Sequence, residues 1–325
     1  MASPSLLAAA ERLAVLLSAG GAAPVADPEG SDIEFEPVVS LRPLARRAAP
    51  PEVWAVDGGQ AVVADARCVQ VIVTRAARAR FVGGECVDEE DGDLRAWLVG
   101  SGEERVAAVS LGLGVAPDAA VDINLLRDCG EWDMVGRSVE EAVAGGLVLV
   151  DGDLRPDWRI PTAQVAALLE RAAERGVTVA AVTKHSSLSR GGAPLLGQLE
   201  LQAEAALGER AMWWAALGRT KADLGLDVQV MAARLDPDAR FAFRVDLPGD
   251  VDPEPVLGAV AALCDDAAFP GYPYPLTVAD RLAACPSWVK HDIRLDLDDH
   301  LDLAGVPVGV RERAFADRHA LMERF

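Results

Sequence analysis

The stretch "EVWAVDGGQAVV", Glu52 to Val63, carries a short β-branched and apolar run into an aspartate that two glycines follow at once. Such a run is too short for a helix and is bounded by a turn-forming dipeptide. It therefore reads as a buried strand ending at Asp57, with the chain turning away at Gly58 and Gly59. "LVLVDGDLRP", Leu147 to Pro156, repeats the pattern and ends its strand at Asp151. If the two runs are parallel neighbours in one sheet, both aspartates emerge at the same end, about 4.8 Å apart by strand spacing. Either Asp-Gly pair alone is an ordinary turn. Two carboxylates at that distance repel each other, and a divalent cation between them removes the repulsion.

The surroundings specify the fold class. Strand candidates at 53–57, 61–67, 69–80 and 106–114 follow one another closely, as in an antiparallel meander. A helical stretch from Ile123 to Ala144 leads to the strand 147–151. A helix over 161–176 has Pro161 in its first turn and Gly176 just past its end, and it feeds a strand at 177–184. Residues 228–235 and 240–248 read as a hairpin turned at "DPD", followed by helices near 253–265 and 275–285. A meander followed by strand, helix and strand predicts an α/β domain: a mixed β-sheet flanked by helices. That domain is expected over residues 51–290. An N-terminal helical extension and connector (1–50) precedes it, and an acidic helical tail (291–325) follows.

Composition narrows the function. The chain has 325 residues, is 51% hydrophobic and carries a net charge of -20. It is large enough for a substantial core, and its field repels nucleic acid and anionic lipid. A polyanionic substrate would then need a local basic patch or bound cations as intermediaries. The 5 cysteines are scattered without a CxxC pair, which argues against a disulfide framework or a zinc site and suits a reducing cytoplasm. The leucine-rich start is interrupted by Glu11 and Arg12 and lacks a cationic leader, so it reads as an amphipathic helix. No run approaches the roughly 20 apolar residues that span a bilayer. A cytoplasmic protein without membrane contact is expected.

Further candidates lie near the same strand ends. Glu131 lies early in the helix between the two aspartate strands and folds back towards them; Glu140, near the helix end, is the alternative. Lys184 ends the strand 177–184, where it would either neutralise a phosphate or developing oxyanion or simply point to water. Asp280 opens the helix after "FPGYPYP" as a fourth candidate carboxylate. Arg155, Arg159 and "RAARAR" (75–80) are local basic features suited to phosphate contacts. His185 receives no role.

"VWAVDGG", "LLRDCGEW", "LVLVDGDL", "VAAVTKHSSLS", "FRVDLP" and "GYPYPLTVADRLA" occur in this order over roughly residues 50–285, and in this they resemble the NurA nucleases. The resemblance implies an RNase H-like core whose carboxylates bind two divalent ions, usually Mn2+ with Mg2+ as the alternative. It implies a homodimer that works with a HerA-type hexameric ATPase on single- and double-stranded DNA ends. The activity implied is end resection at double-strand breaks, by single-strand endonuclease and 5′→3′ exonuclease action. Carried over by position, the metal ligands fall on Asp57, Glu131, Asp151 and Asp280, with Lys184 catalytic; Lys184 and, as a local basic residue outside the resemblance, Arg155 are the expected substrate contacts. Two positions depart from the family: Asp280 stands where it often has histidine, and Gly59 where it usually has serine. The first departure favours the alternative of a non-catalytic RNase H-like scaffold that binds DNA or the ATPase. A sugar or acyl kinase of the actin-like class is less consistent, because a second set of glycine-rich phosphate loops is missing.

Overall fold

The aliphatic runs assemble into an 11-stranded mixed sheet with helices on both faces. The computed structural model describes residues 4–18, 23–28, 30, 32–116 and 120–316. After helix α1 (Pro4–Ser18), strand β1 (Ile33–Phe35) precedes the meander of β2 (Glu52–Asp65), β3 (Gln70–Val82), β4 (Glu85–Asp91) and β5 (Arg95–Val99). Helices α2 (Glu103–Ser110) and α3 (Ile123–Glu141) lead to β6 (Leu147–Asp151), α4 (Thr162–Glu174) and β7 (Thr178–Thr183). Helix α5 (Leu195–Leu207) precedes β8 (Trp213–Thr220), β9 (Val228–Arg234) and β10 (Phe243–Pro248). Helices α6 (Pro253–Ala261), α7 (Tyr274–Ala283), α8 (Ser287–Leu303) and α9 (Val308–Phe315) complete the chain.

Across the sheet the order is β1-β8-β9-β10-β7-β6-β2-β3-β4, with β5 extending the outer edge of β3 and residues 42–43 pairing with β8. β6 runs parallel to β2, and β7 parallel to β6; the other pairings are antiparallel. Side-chain alternation sends Val53, Ala55, Leu149 and Val182 to one face, where Leu257 of α6 and Leu276 and Ala279 of α7 cover them. Trp54, Val56, Val148 and Val179 reach the other face, against Val135 of α3 and Val165 of α4. Leu149 is wholly buried on the central strand β6. Leu149→Ala is expected to cost about 2–5 kcal/mol of stability through the cavity it leaves, read as a lower urea midpoint.

Several expectations need correction. The chain does not turn at Gly58 and Gly59. The segments 53–57 and 61–65 form one continuous strand, β2, which ends two residues short of the expected 67; Gly58 and Gly59 are paired with Ala76 and Arg75 of β3. Residues 106–110, expected in a strand, belong to helix α2: β4 and β5 already fill the outer edge of β3, and the alanines there favour a helix. Strand β8 and the acidic edge strand β4 were not anticipated. The connector contributes β1 to the sheet through pairing with β8. Residue 290 falls inside α8, which packs against β2. Among the described residues, no helix is long and apolar enough to cross a membrane.

Candidate metal centre

Strand register brings the first two carboxylates together. Val56 is level with Val150 in the parallel β2–β6 pair, so Asp57 and Asp151 follow side by side. Both lie on the odd-numbered, α7-facing side of their strands, in phase with Ala55 and Leu149. Lys184, just past β7, is in phase with Val182 on that same side. Asp280 descends from α7 above it. One carboxylate oxygen from each of Asp57, Asp151 and Asp280 lies within 4.8 Å of the others. The Lys184 ammonium sits among them, 2.6 Å from Asp151 Oδ2, 2.7 Å from Asp280 Oδ1 and 4.0 Å from Asp57 Oδ2. Four residues named from sequence therefore share one site.

Glu131 reaches the same strand from the opposite face. A Cβ on Gly58 would lie 2.0 Å from Glu131 Oε1, so the carboxylate rests directly on the glycine backbone. Arg127, one turn earlier on α3, holds Glu131 Oε1 at 3.0 Å and Asp128 Oδ1 at 2.8 Å. The second glycine has a separate task. A Cβ on Gly59 would lie 2.0 Å from the carbonyl oxygen of Ala283, the last residue of α7. The glycine pair admits the Glu131 carboxylate on one face and a helix terminus on the other.

The electrostatics show an excess of negative charge. Burial, then the neighbouring Asp151 and Glu131 carboxylates, push the Asp57 carboxyl up to about 9, against the pull of Lys184. Burial raises Glu131 to about 8, opposed by Arg127 and reinforced by Asp128 and Asp151. Burial alone would lower Lys184, but its hydrogen bonds to Asp151 and Asp280 outweigh this and raise it. Tyr272, from the loop before α7, was missed from sequence although "GYPYPL" contains it. Its ring lies 5.3 Å from Lys184 Nζ, and its hydroxyl is buried near Asp151. Burial, then Asp151 and Asp57, raise that phenol.

Other candidates are engaged elsewhere. The Arg155 guanidinium lies 3.0 Å from Asp27 and 3.9 Å from Asp32 of the N-terminal segment. Glu140 lies on the solvent side of α3, 2.8 Å from Arg171. Within "RAARAR", Arg78 and Arg80 stack over Trp54 and pair with Glu90 and Glu52, while Arg75 donates to the Leu282 carbonyl. Arg159 pairs with Asp157 and Asp122. His185 is exposed.

No protein-family model matches the chain, and no curated protein matches it in sequence. Among solved structures, the NurA nuclease from Sulfolobus solfataricus aligns with a TM-score of 0.59 and 16% identity, over 81% of this chain and 88% of that one. A structure described as NurA aligns with a TM-score of 0.47 and 8% identity, over 74% and 85%. The chain has a NurA-like, RNase H-like fold.

Proposed function

We propose that this protein is a divalent-metal-dependent DNA nuclease acting at the Asp57–Asp151–Asp280 cluster. The observation that carries the reading is the convergence of three carboxylates within 4.8 Å at adjacent parallel strand ends, with Glu131 against the same strand. The residues fit a hard cation. Their donors are all oxygen, which suits Mn2+ or Mg2+. Burial and their mutual repulsion raise Asp57, and an ammonium already stands among them. Asp57, Asp151 and Asp280 would hold the ion, with Glu131 at a second position; two ions are the number implied by the resemblance to NurA.

Bound metal would supply charge for the phosphodiester oxygens and acidify a water. The chain's own residues provide the rest. Asp57 and Asp151 are fixed by a shared strand register and need little reorganisation. Glu131, raised by burial in the metal-free protein, would release its proton as a cation binds beside it. Lys184, held by Asp151 and Asp280, would neutralise a phosphate oxygen once those carboxylates are engaged by the cation. Arg155, paired with Asp27 and Asp32, would have to leave these partners to contact a phosphate. Such a site also reconciles a net charge of -20 with a polyanionic substrate, since cations mediate the contact.

The sequence resemblance supports the finer reading. DNA ends, single- and double-stranded, are the substrate. Endonuclease and 5′→3′ exonuclease action serve resection of double-strand breaks. A homodimer works in the cytoplasm with a HerA-type hexameric ATPase. The test is cleavage of labelled single- and double-stranded DNA by the purified protein with Mn2+ and with chelator. Cleavage with Mn2+ alone is expected, and Glu140→Gln should retain the wild-type rate. DNA binding without metal-dependent cleavage would overturn the nuclease and leave a scaffold.

A further inference from the structure

Arg244 and Asp246, in the "FRVDLP" segment, are 1% and 0% exposed on β10, two strands from Asp151. Burying an ion pair gains little stability over apolar side chains of similar size, so a pair this deep calls for another purpose. Its contacts supply one. Arg244 Nε and Nη2 donate to Asp246 at 2.8 Å and 2.7 Å, and Nη1 reaches across β7 to Asp153 Oδ2 at 2.7 Å. Asp246 Oδ2 accepts the Leu154 backbone N–H at 3.2 Å. The Thr183 hydroxyl lies 2.8 Å from the Gly152 carbonyl oxygen and 2.5 Å from Asp153 Oδ1. The Gly152 N–H donates to the Val182 carbonyl at 3.2 Å.

These bonds converge on residues 152–154, the turn that begins directly after Asp151. Gly152 has φ +124°, a conformation disfavoured for other residues, so this turn needs external restraint to hold one geometry. Asp151 itself is bonded at its side chain by Lys184, a flexible group that metal binding must displace. The restraint on its carboxylate must then come from the backbone.

We infer that Arg244 is a positioning residue of the metal centre: through Asp153 and Asp246 it clamps the 152–154 turn and so fixes the direction of the Asp151 carboxylate. The inference rests on the metal reading above. It gives the "FRVDLP" segment a task and assigns Asp153, the second acid of "DGD", to support rather than ligation.

The test is Mn2+ affinity from the electron paramagnetic resonance signal of free Mn2+, a readout independent of cleavage, together with thermal melting. Asp153→Asn and Arg244→Lys are expected to weaken Mn2+ binding by roughly 10-fold or more, the usual consequence of losing a group that orients a ligand. Arg78→Lys is the control, a buried arginine paired with Glu90 and Glu141 and remote from this turn. It should lower the melting temperature while leaving Mn2+ affinity within about 2-fold, since it touches no ligand. If Arg244→Lys fails to fold, Asp153→Asn, whose side chain is partly exposed, decides the matter. Wild-type affinity in Asp153→Asn, or an equal loss in Arg78→Lys, overturns the proposal. A wild type that binds Mn2+ but cleaves no DNA overturns the nuclease and leaves the clamp standing; one that binds no Mn2+ overturns both.

Discussion

Asp57→Asn is expected to remove DNA cleavage, by roughly 10^3-fold, because several kcal/mol of metal-borne charge stabilisation depends on that carboxylate. The same change should stabilise the metal-free protein at neutral and higher pH. Asp57 is raised from 3.8 to about 9 by burial and by Asp151 and Glu131, so the folded state holds a proton that the unfolded state releases. Stability from that proton is complete below the unfolded value and is lost as pH rises towards about 9. In chelator, the wild-type melting temperature should therefore fall between pH 5 and pH 8. The asparagine variant should show a shallower fall, with Glu131 supplying the remainder. Added Mn2+ at pH 8 should raise the wild-type melting temperature and leave the variant nearly unchanged. A wild type whose stability climbs with pH in chelator would contradict the charge assignment.

The paired glycines after Asp57 should separate activity from stability. In Gly58→Ala the new methyl meets Oε1, Cδ and Cγ of Glu131, a side chain rather than backbone. The carboxylate can swing aside while the fold survives. A displacement on the order of 1 Å at a reacting group costs about 10^2-fold in rate, so Gly58→Ala should melt near wild type and cleave poorly. In Gly59→Ala the methyl meets a backbone carbonyl at the end of α7, which cannot yield without moving the helix. Overpacking of this kind costs about 1–3 kcal/mol, and α7 carries Asp280, so both stability and activity should fall. Circular dichroism melts and cleavage rates for the two variants check the contrast. Normal cleavage by Gly58→Ala would move Glu131 out of the site.

The sequence made the two aspartates legible because β-branched runs ending in acids at matching phase leave few other arrangements in a mixed sheet. Glu131 was favoured from its place early in the intervening helix, from which the chain can return to the strand ends, with Glu140 kept as the alternative. Its competitor Glu140 lies at the far end of α3 and on its solvent side, where Arg171 engages it. What stayed hidden was set by distant partners. Whether an Asp-Gly pair turns depends on whether another strand pairs with it, and β3 does so at Gly58 and Gly59. Helix α2 owes its form to an edge already filled by β4 and β5, which local propensity cannot announce. Tyr272 enters the site because the loop before α7 folds over Lys184, a contact between residues far apart in sequence. Arg155 looked free in sequence, and Asp27 engages it from a segment more than a hundred positions earlier.

Strand β4 ends the sheet order, and its outward backbone groups are left to solvent. An unpaired edge of this kind is a template on which another polypeptide can add a strand. Glu85, Asp88, Glu89 and Asp91 project from it, exposed, so a second copy laid along the same edge would bring like charges into register. The acidity that complicates DNA binding thus also keeps the sheet from growing from molecule to molecule. That protection is electrostatic and weakens as salt shortens the screening length, so concentrated salt should promote β-sheet aggregates that dilute buffer prevents.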